Sequence, residues 1–221
     1  MLMVFQHFWP ATVELAAAAI ALSTVLAIPL GIVSATRKDR AADHASRIAS
    51  LFLQSMPGFW FGLMLILIFA VELKGWLPAY GSGSLRHLIL PAVALAAAPL
   101  AQNVRLIRAG MLEVLQQDYI RTARAKGAPE RLVLYRHAFK NAALPFVTVA
   151  GLSLGFMLSG AIIIETVFSW PGLGRLLVQA ASARDFPVIQ AGVFLFGVIF
   201  VLVNLAVDLL YAVVDPRVRL S

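Results

Sequence analysis

Five stretches without a single charged side chain dominate this chain of 221 residues. They lie between Glu14 and Arg37, Arg47 and Glu72, Arg86 and Arg105, Lys140 and Glu165, and Asp185 and Asp208, and run 22, 24, 18, 24 and 22 residues, half of the chain. About 20 consecutive apolar residues cross about 30 Å of hydrocarbon. Backbone groups left unpaired in lipid are too costly, and the stretches lack the strict two-residue alternation of barrel strands, so each is read as a helix. The composition agrees: 61% of residues are hydrophobic, 13% are charged and the mean hydropathy is +0.86. A soluble enzyme is excluded. The expected fold is an all-α, polytopic integral membrane protein with about five spans (about 10–34, 48–71, 87–107, 141–164 and 186–213) in one domain covering 1–221.

The net charge of +7 would suit nucleic acid in a soluble protein, but here the position of the cations matters more. Lys and Arg number four between the first two spans, two in the next connection, eight from Arg105 to Lys140, two in the fourth, and two in the tail. Alternate sides therefore carry 14 and 4, which puts the segments 35–47 and 105–140 and the C-terminus in the cytoplasm. The N-terminus then starts outside, with no cation before Arg37 to direct the first span, and a further preceding span is expected. Zero cysteines exclude disulfides and thiolate metal sites. The four histidines are scattered without ligand spacing, and no Gly-Lys dipeptide exists to build a phosphate-binding loop, so no cofactor, metal site or catalysis is expected.

Prolines punctuate the spans. The first is expected to open near Pro10, Met56-Pro57-Gly58 to kink or unwind the second, Pro91 and Pro99 to interrupt the third, and Pro145 to begin the fourth. Small residues crowd the third and fourth spans, and Gly151, Gly155 and Ser159 share one helix face, the pattern of close helix packing.

The basic stretch 108–140 cannot cross lipid, since each of its cations would cost about 2.5–3.5 kcal/mol at the bilayer centre. It is nevertheless patterned. Leu112, Leu115, Tyr119 and Ala123 form a helical stripe, Gly127 offers a stop, Pro129 a start, and Leu132, Tyr135 and Phe139 resume the stripe. Two short amphipathic helices joined at Gly127 are expected at the inner membrane face. By composition they could lie on anionic lipid or dock into a groove on a cytoplasmic protein.

The run from Asp118 to Gly127 (Asp-Tyr-Ile-Arg-Thr-Ala-Arg-Ala-Lys-Gly), followed by Arg136-His137-Ala138 and Asn141-Ala142-Ala143-Leu144-Pro145, resembles the cytoplasmic signature of ABC-importer permeases, in the dipeptide, oligopeptide and nickel branch. Glu165-Thr-Val-Phe-Ser-Trp170-Pro171-Gly172-Leu-Gly174-Arg-Leu176, Arg184-Asp-Phe-Pro-Val-Ile-Gln190, and Val203-Asn204 through Asp208 to Arg217 resemble the same branch. The resemblance implies a non-catalytic translocation subunit importing peptides, nickel chelates or glutathione. Its implied partners are a second permease subunit, two cytoplasmic ATP-binding subunits and an external solute-binding protein. Its implied location is the inner membrane of a bacterium or archaeon, among lipid, with no role in nucleic-acid binding. It also implies that an N-terminal span and an outer domain precede Pro10 in most members.

On that resemblance the ATPase-coupling residues are Tyr119, Arg121, Thr122, Ala123, Arg124, Lys126, Gly127, Arg136 and His137. Where the broad signature reads Glu-Ala-Ala, this chain has Arg121-Thr122-Ala123, which suits an acidic patch on the partner. Glu165, Trp170, Pro171, Gly172 and Gly174 are expected to form an ordered outer turn, more scaffold than docking surface. Asn204 and Asp208, four apart in the last span, share a face; a contact to another span or subunit is favoured over a gating role. A self-contained secondary transporter, expected to show repeated halves, and a passive membrane scaffold are the competing classes.

Overall fold

A computed structural model describes the backbone from Leu2 to Val214; side chains at 1–6, at 144, 147, 148, 152, 154, 156, 158 and 159, and from 206 onward lie outside the described residues. All elements among the described residues are helices: α1 (Leu2–Thr36), α2 (Ala41–Ser55), α3 (Gly58–Ile66) running into a π-helical stretch (Leu67–Glu72), α4 (Leu85–Val114), and α5 (Asp118–Ala125). They continue with α6 (Glu130–Leu132), a second π-helical stretch (Val133–Phe139), α7 (Lys140–Val167), α8 (Leu173–Ser182) and α9 (Phe186–Val214).

By length and composition, three described helical segments can cross a membrane: His7–Thr36, Leu85–Val114 and Phe186–Leu205. A fourth is the pair Ala41–Ser55 and Gly58–Glu72, bent by 103°. The bend sits at Met56-Pro57, where Pro57 has an extended ψ of 131° and its ring disfavours a helical conformation at Met56. Counted this way, the second predicted span is not one straight rod.

Three other expectations are corrected. The first helix begins at Leu2, not near Pro10. Pro91 and Pro99 do not interrupt the third span, since α4 is continuous from Leu85 to Val114; membrane helices tolerate prolines. That helix also runs to Val114, so Arg108 lies on a helix and not in the basic loop.

Packing divides the chain into two compact units. One comprises 1–22, 56–97 and 152–206; the other comprises 23–55, 98–151 and 207–221. The first is built on Leu15, Ala19, Leu65, Leu90, Ala96, Met157, Ala161, Phe168 and Trp170. Here small residues do what their density predicted. Ala92, Ala94, Ala96 and Ala97 are buried, Gly155 lies against the Phe200 ring, and a Cβ at Gly62 would come within 3.0 Å of Phe168. The second unit is built on Ala27, Ile32, Val104, Ile107, Met111, Ile120, Val133, Ala138 and Phe146. Large apolar side chains remain outside, among them Phe194 at 73% and Val201 at 63% exposure on α9. A face this apolar is unsuited to water and suited to hydrocarbon.

Candidate functional site

The stretch from Asp118 to Phe139 forms a tight, internally braced turn. α5 opens after Gln117, with Asp118 in its first turn and Arg124 in its last, the placement that offsets the helix dipole. It ends in a Schellman motif: the Ala128 N–H donates to the Ala123 carbonyl at 3.2 Å and the Gly127 N–H to the Arg124 carbonyl at 2.9 Å. Gly127 has φ +79°, a left-handed conformation that an L side chain adopts only with strain. Pro129, extended at ψ 140°, then caps α6. Arg124 reaches across the turn to Glu130 with both ends of its fork, at 3.1 and 2.7 Å. That pairing holds the exposed Glu130 carboxyl below its ordinary range.

From Glu130 the helix does not end. α6 passes through the π-helical stretch into α7, so the second of the two expected short helices is the inner end of the fourth span. The physical reason is that no stop signal lies between Pro129 and Lys140: there is no glycine, and the Asn141 side chain bonds back to the His137 carbonyl at 3.2 Å without breaking the helix. The Asn141 amide also donates to the Tyr119 hydroxyl at 2.9 Å, tying α5 to α7.

The inward faces differ from the predicted stripe. Ile120, Val133 and Ala138 are fully buried, whereas Tyr119, Leu132 and Tyr135 are exposed. The stripe foretold helices and caught part of the inward face, since Leu112, Leu115, Ala123 and Phe139 pack against the core; the most buried residues lie beside it, because that core is set by α4 and α1, which local spacing does not encode. Of the predicted coupling residues, Tyr119, Arg121, Thr122, Arg124, Lys126, Gly127 and Arg136 are exposed and Ala123 and His137 are half-buried. Thr122 is turned onto its own helix, donating to the Asp118 carbonyl at 2.9 Å. Arg121 meets Asp118 only at 3.6 Å with both side chains in solvent, a contact of little energetic weight.

The predicted outer turn is also assembled, around Glu165. This residue is fully buried in the last turn of α7. Its carboxylate accepts the Thr12 hydroxyl at 2.6 Å, the Arg175 N–H at 3.0 Å and the Gly174 N–H. Thr12 in turn accepts the Leu173 N–H at 2.9 Å. Glu165 therefore caps the start of α8 from another helix, and its charge meets the positive end of that helix. The two glycines make room: a Cβ at Gly172 would collide with the carboxylate, and one at Gly174 would lie 2.6 Å from the Ile162 Cα. Trp170 is buried and donates from Nε1 to the Ala11 carbonyl at 2.8 Å, while Arg175 ties down the Ser169 carbonyl at 2.6 Å. Trp170 and Pro171 line, with the exposed Glu14, a cavity of about 380 Å³. Thr12 was not foreseen, since a lone threonine 153 residues from its partner carries no local signal.

Asn204 and Asp208 are not brought together by any described contact. The Asn204 amide donates to the Phe200 carbonyl of its own helix at 2.8 Å, and the Asp208 side chain lies outside the described residues.

Residues 27–220 match the family described as binding-protein-dependent transport system inner membrane component. The chain is 44% identical to the dipeptide transport system permease protein DppB of Alkalihalophilus pseudofirmus, covering 98% of this chain and 74% of that protein. It is 42% identical to the di/tripeptide permease DppB of Pseudomonas aeruginosa (97% and 72%) and 44% identical to the glutathione permease GsiC of Escherichia coli K12 (97% and 69%). Among solved structures, the fold is shared with a chain of the MetNI methionine ABC transporter in its inward-facing form, with a TM-score of 0.80 at 17% identity over 97% of this chain and 98% of that one.

Proposed function

The chain belongs to the family of binding-protein-dependent transport system inner membrane components, multi-pass proteins of transport systems, and from that membership we propose that it is the permease subunit of an ATP-driven importer of di- or oligopeptides. The relatives named for dipeptide, di/tripeptide and glutathione support a solute built on peptide bonds, and glutathione is the alternative cargo they favour over nickel. The partners in this reading are a second permease, two cytoplasmic ATP-binding subunits and an external solute-binding protein. Residues 1–221 then act as one permease domain, with its C-terminus in the cytoplasm.

One observation carries the coupling role: a braced, cation-bearing turn at Gly127 is continuous, through one unbroken helix, with the span that ends at Val167. Force on the Gly127 turn reaches the helix that starts at Glu130 directly along the chain. The exposed Tyr119, Leu132 and Tyr135 offer apolar anchors to a groove, and Arg121, Lys126 and Arg136 offer it orienting charge. Glu165, Trp170, Pro171, Gly172 and Gly174 brace the outer end, and Asn204 and Asp208 serve a contact to another span or subunit.

Uptake into vesicles carrying the chain with and without its ATPase partner tests this, using wild type and Gly127→Pro. Proline cannot take φ +79°, so the variant is expected to lose ATP-dependent uptake while wild type keeps it. Wild-type uptake without ATP would identify a secondary transporter, and no uptake under any condition a scaffold.

A further inference from the structure

The inner turn of α4 is a junction. Within four residues it meets three other helices: a Cβ at Gly31 of α1 would lie 2.7 Å from Ile107, Arg108 pairs with Asp43 of α2, and a Cβ at Gly110 would lie 2.9 Å from the Ala142 carbonyl of α7. A connection of three residues separates the end of α4 from the start of α5. Two of those meetings are close approaches at glycines. The third is a directional ion pair. Arg108 grips Asp43 with both ends of its fork, Nε to Oδ1 at 2.6 Å and Nη2 to Oδ2 at 2.7 Å. The Ser34 hydroxyl of α1 donates to Oδ1 at 2.6 Å, and the Asp39 N–H donates to Oδ2 at 3.0 Å. Asp43 is completely buried and all four bonds converge on it.

We propose that Asp43 is a positioning residue of the transport cycle, the clamp that fixes the rotation of α4 against α1 and α2 so that motion imposed on α5 moves the three inner helix ends as one body. The proposal rests on the importer reading. A bidentate, buried ion pair adds little attraction beyond what well-packed apolar groups would supply, but it accepts only one register, because rotation of α4 by a single residue swings Arg108 away. Directional bonding in place of further alanines at this junction is what a transmitting joint requires and a merely stable one does not. Of the neighbouring charges, Asp39 gives Asp43 its backbone N–H and adds a second negative charge near Arg108, while Arg37, Lys38 and Arg40 are exposed.

The test uses the complete importer in proteoliposomes, measuring uptake and ATP hydrolysis in the same vesicles for wild type, Asp43→Asn, Arg108→Lys and Ser34→Ala. Asp43→Asn is expected to keep hydrolysis while uptake per ATP falls about tenfold, and Ser34→Ala and Arg108→Lys, which keep both charges, to lower that ratio about twofold to threefold. An unchanged ratio in Asp43→Asn, or a proportional fall of both activities, overturns the proposal. If Asp43→Asn does not assemble, the other two variants decide, and unchanged ratios in both overturn it. ATP-independent uptake by wild type would instead remove the importer reading itself.

Discussion

Asp43 shows how one side chain can carry a junction. Removing its charge while keeping its shape leaves Arg108 facing a neutral amide in a largely buried place, which costs about 3 kcal/mol. Thermal unfolding in detergent is therefore expected to show Asp43→Asn less stable than wild type, and equal stability would show that the pair carries no weight at this junction. Glu165 is the counterpart in the other unit: a buried carboxylate answered by backbone N–H groups and a hydroxyl, with Gly172 and Gly174 leaving the space it fills.

Among the elements, the coupling turn depends on backbone geometry more than on side-chain contact. No atom lies within 4 Å of where a Gly127 side chain would begin, so a larger residue meets no clash there, only the cost of a left-handed φ. Gly127→Ala is expected to weaken the turn by about 1 kcal/mol, and Gly127→Asn by less, since asparagine tolerates that conformation better. Amide hydrogen exchange at residues 127 and 128 reads this directly, with about fivefold faster exchange expected in the alanine variant. Equal rates in wild type and alanine would mean that the turn does not need the left-handed conformation. The α2–α3 pair makes the complementary point: Pro57 was legible as a break, yet its 103° bend was not, because the direction after a break is chosen by what each half packs against.

For the whole molecule, cation placement predicts sidedness, and the absence of native cysteine makes that testable by labelling. Single cysteines at Lys126 and Arg136 are expected to react with a membrane-impermeant maleimide only from the cytoplasmic side, and those at Ser82 and Ser182 only from outside. Reversed accessibility would invert the assignment. By itself, the sequence determined that the chain is helical and membrane-spanning, because hydrocarbon enforces run length residue by residue. Gly127 as a turn and Gly155 as a close contact were legible for the same reason, each being a demand on local backbone or local volume. Only the tertiary structure decided which face of α5 turns inward, that Arg108 belongs to a helix and meets Asp43, and that Thr12 and Glu165 complete α8. Those partners stand 65 and 153 residues apart, and a bond between distant residues exists only once packing has brought their helices together.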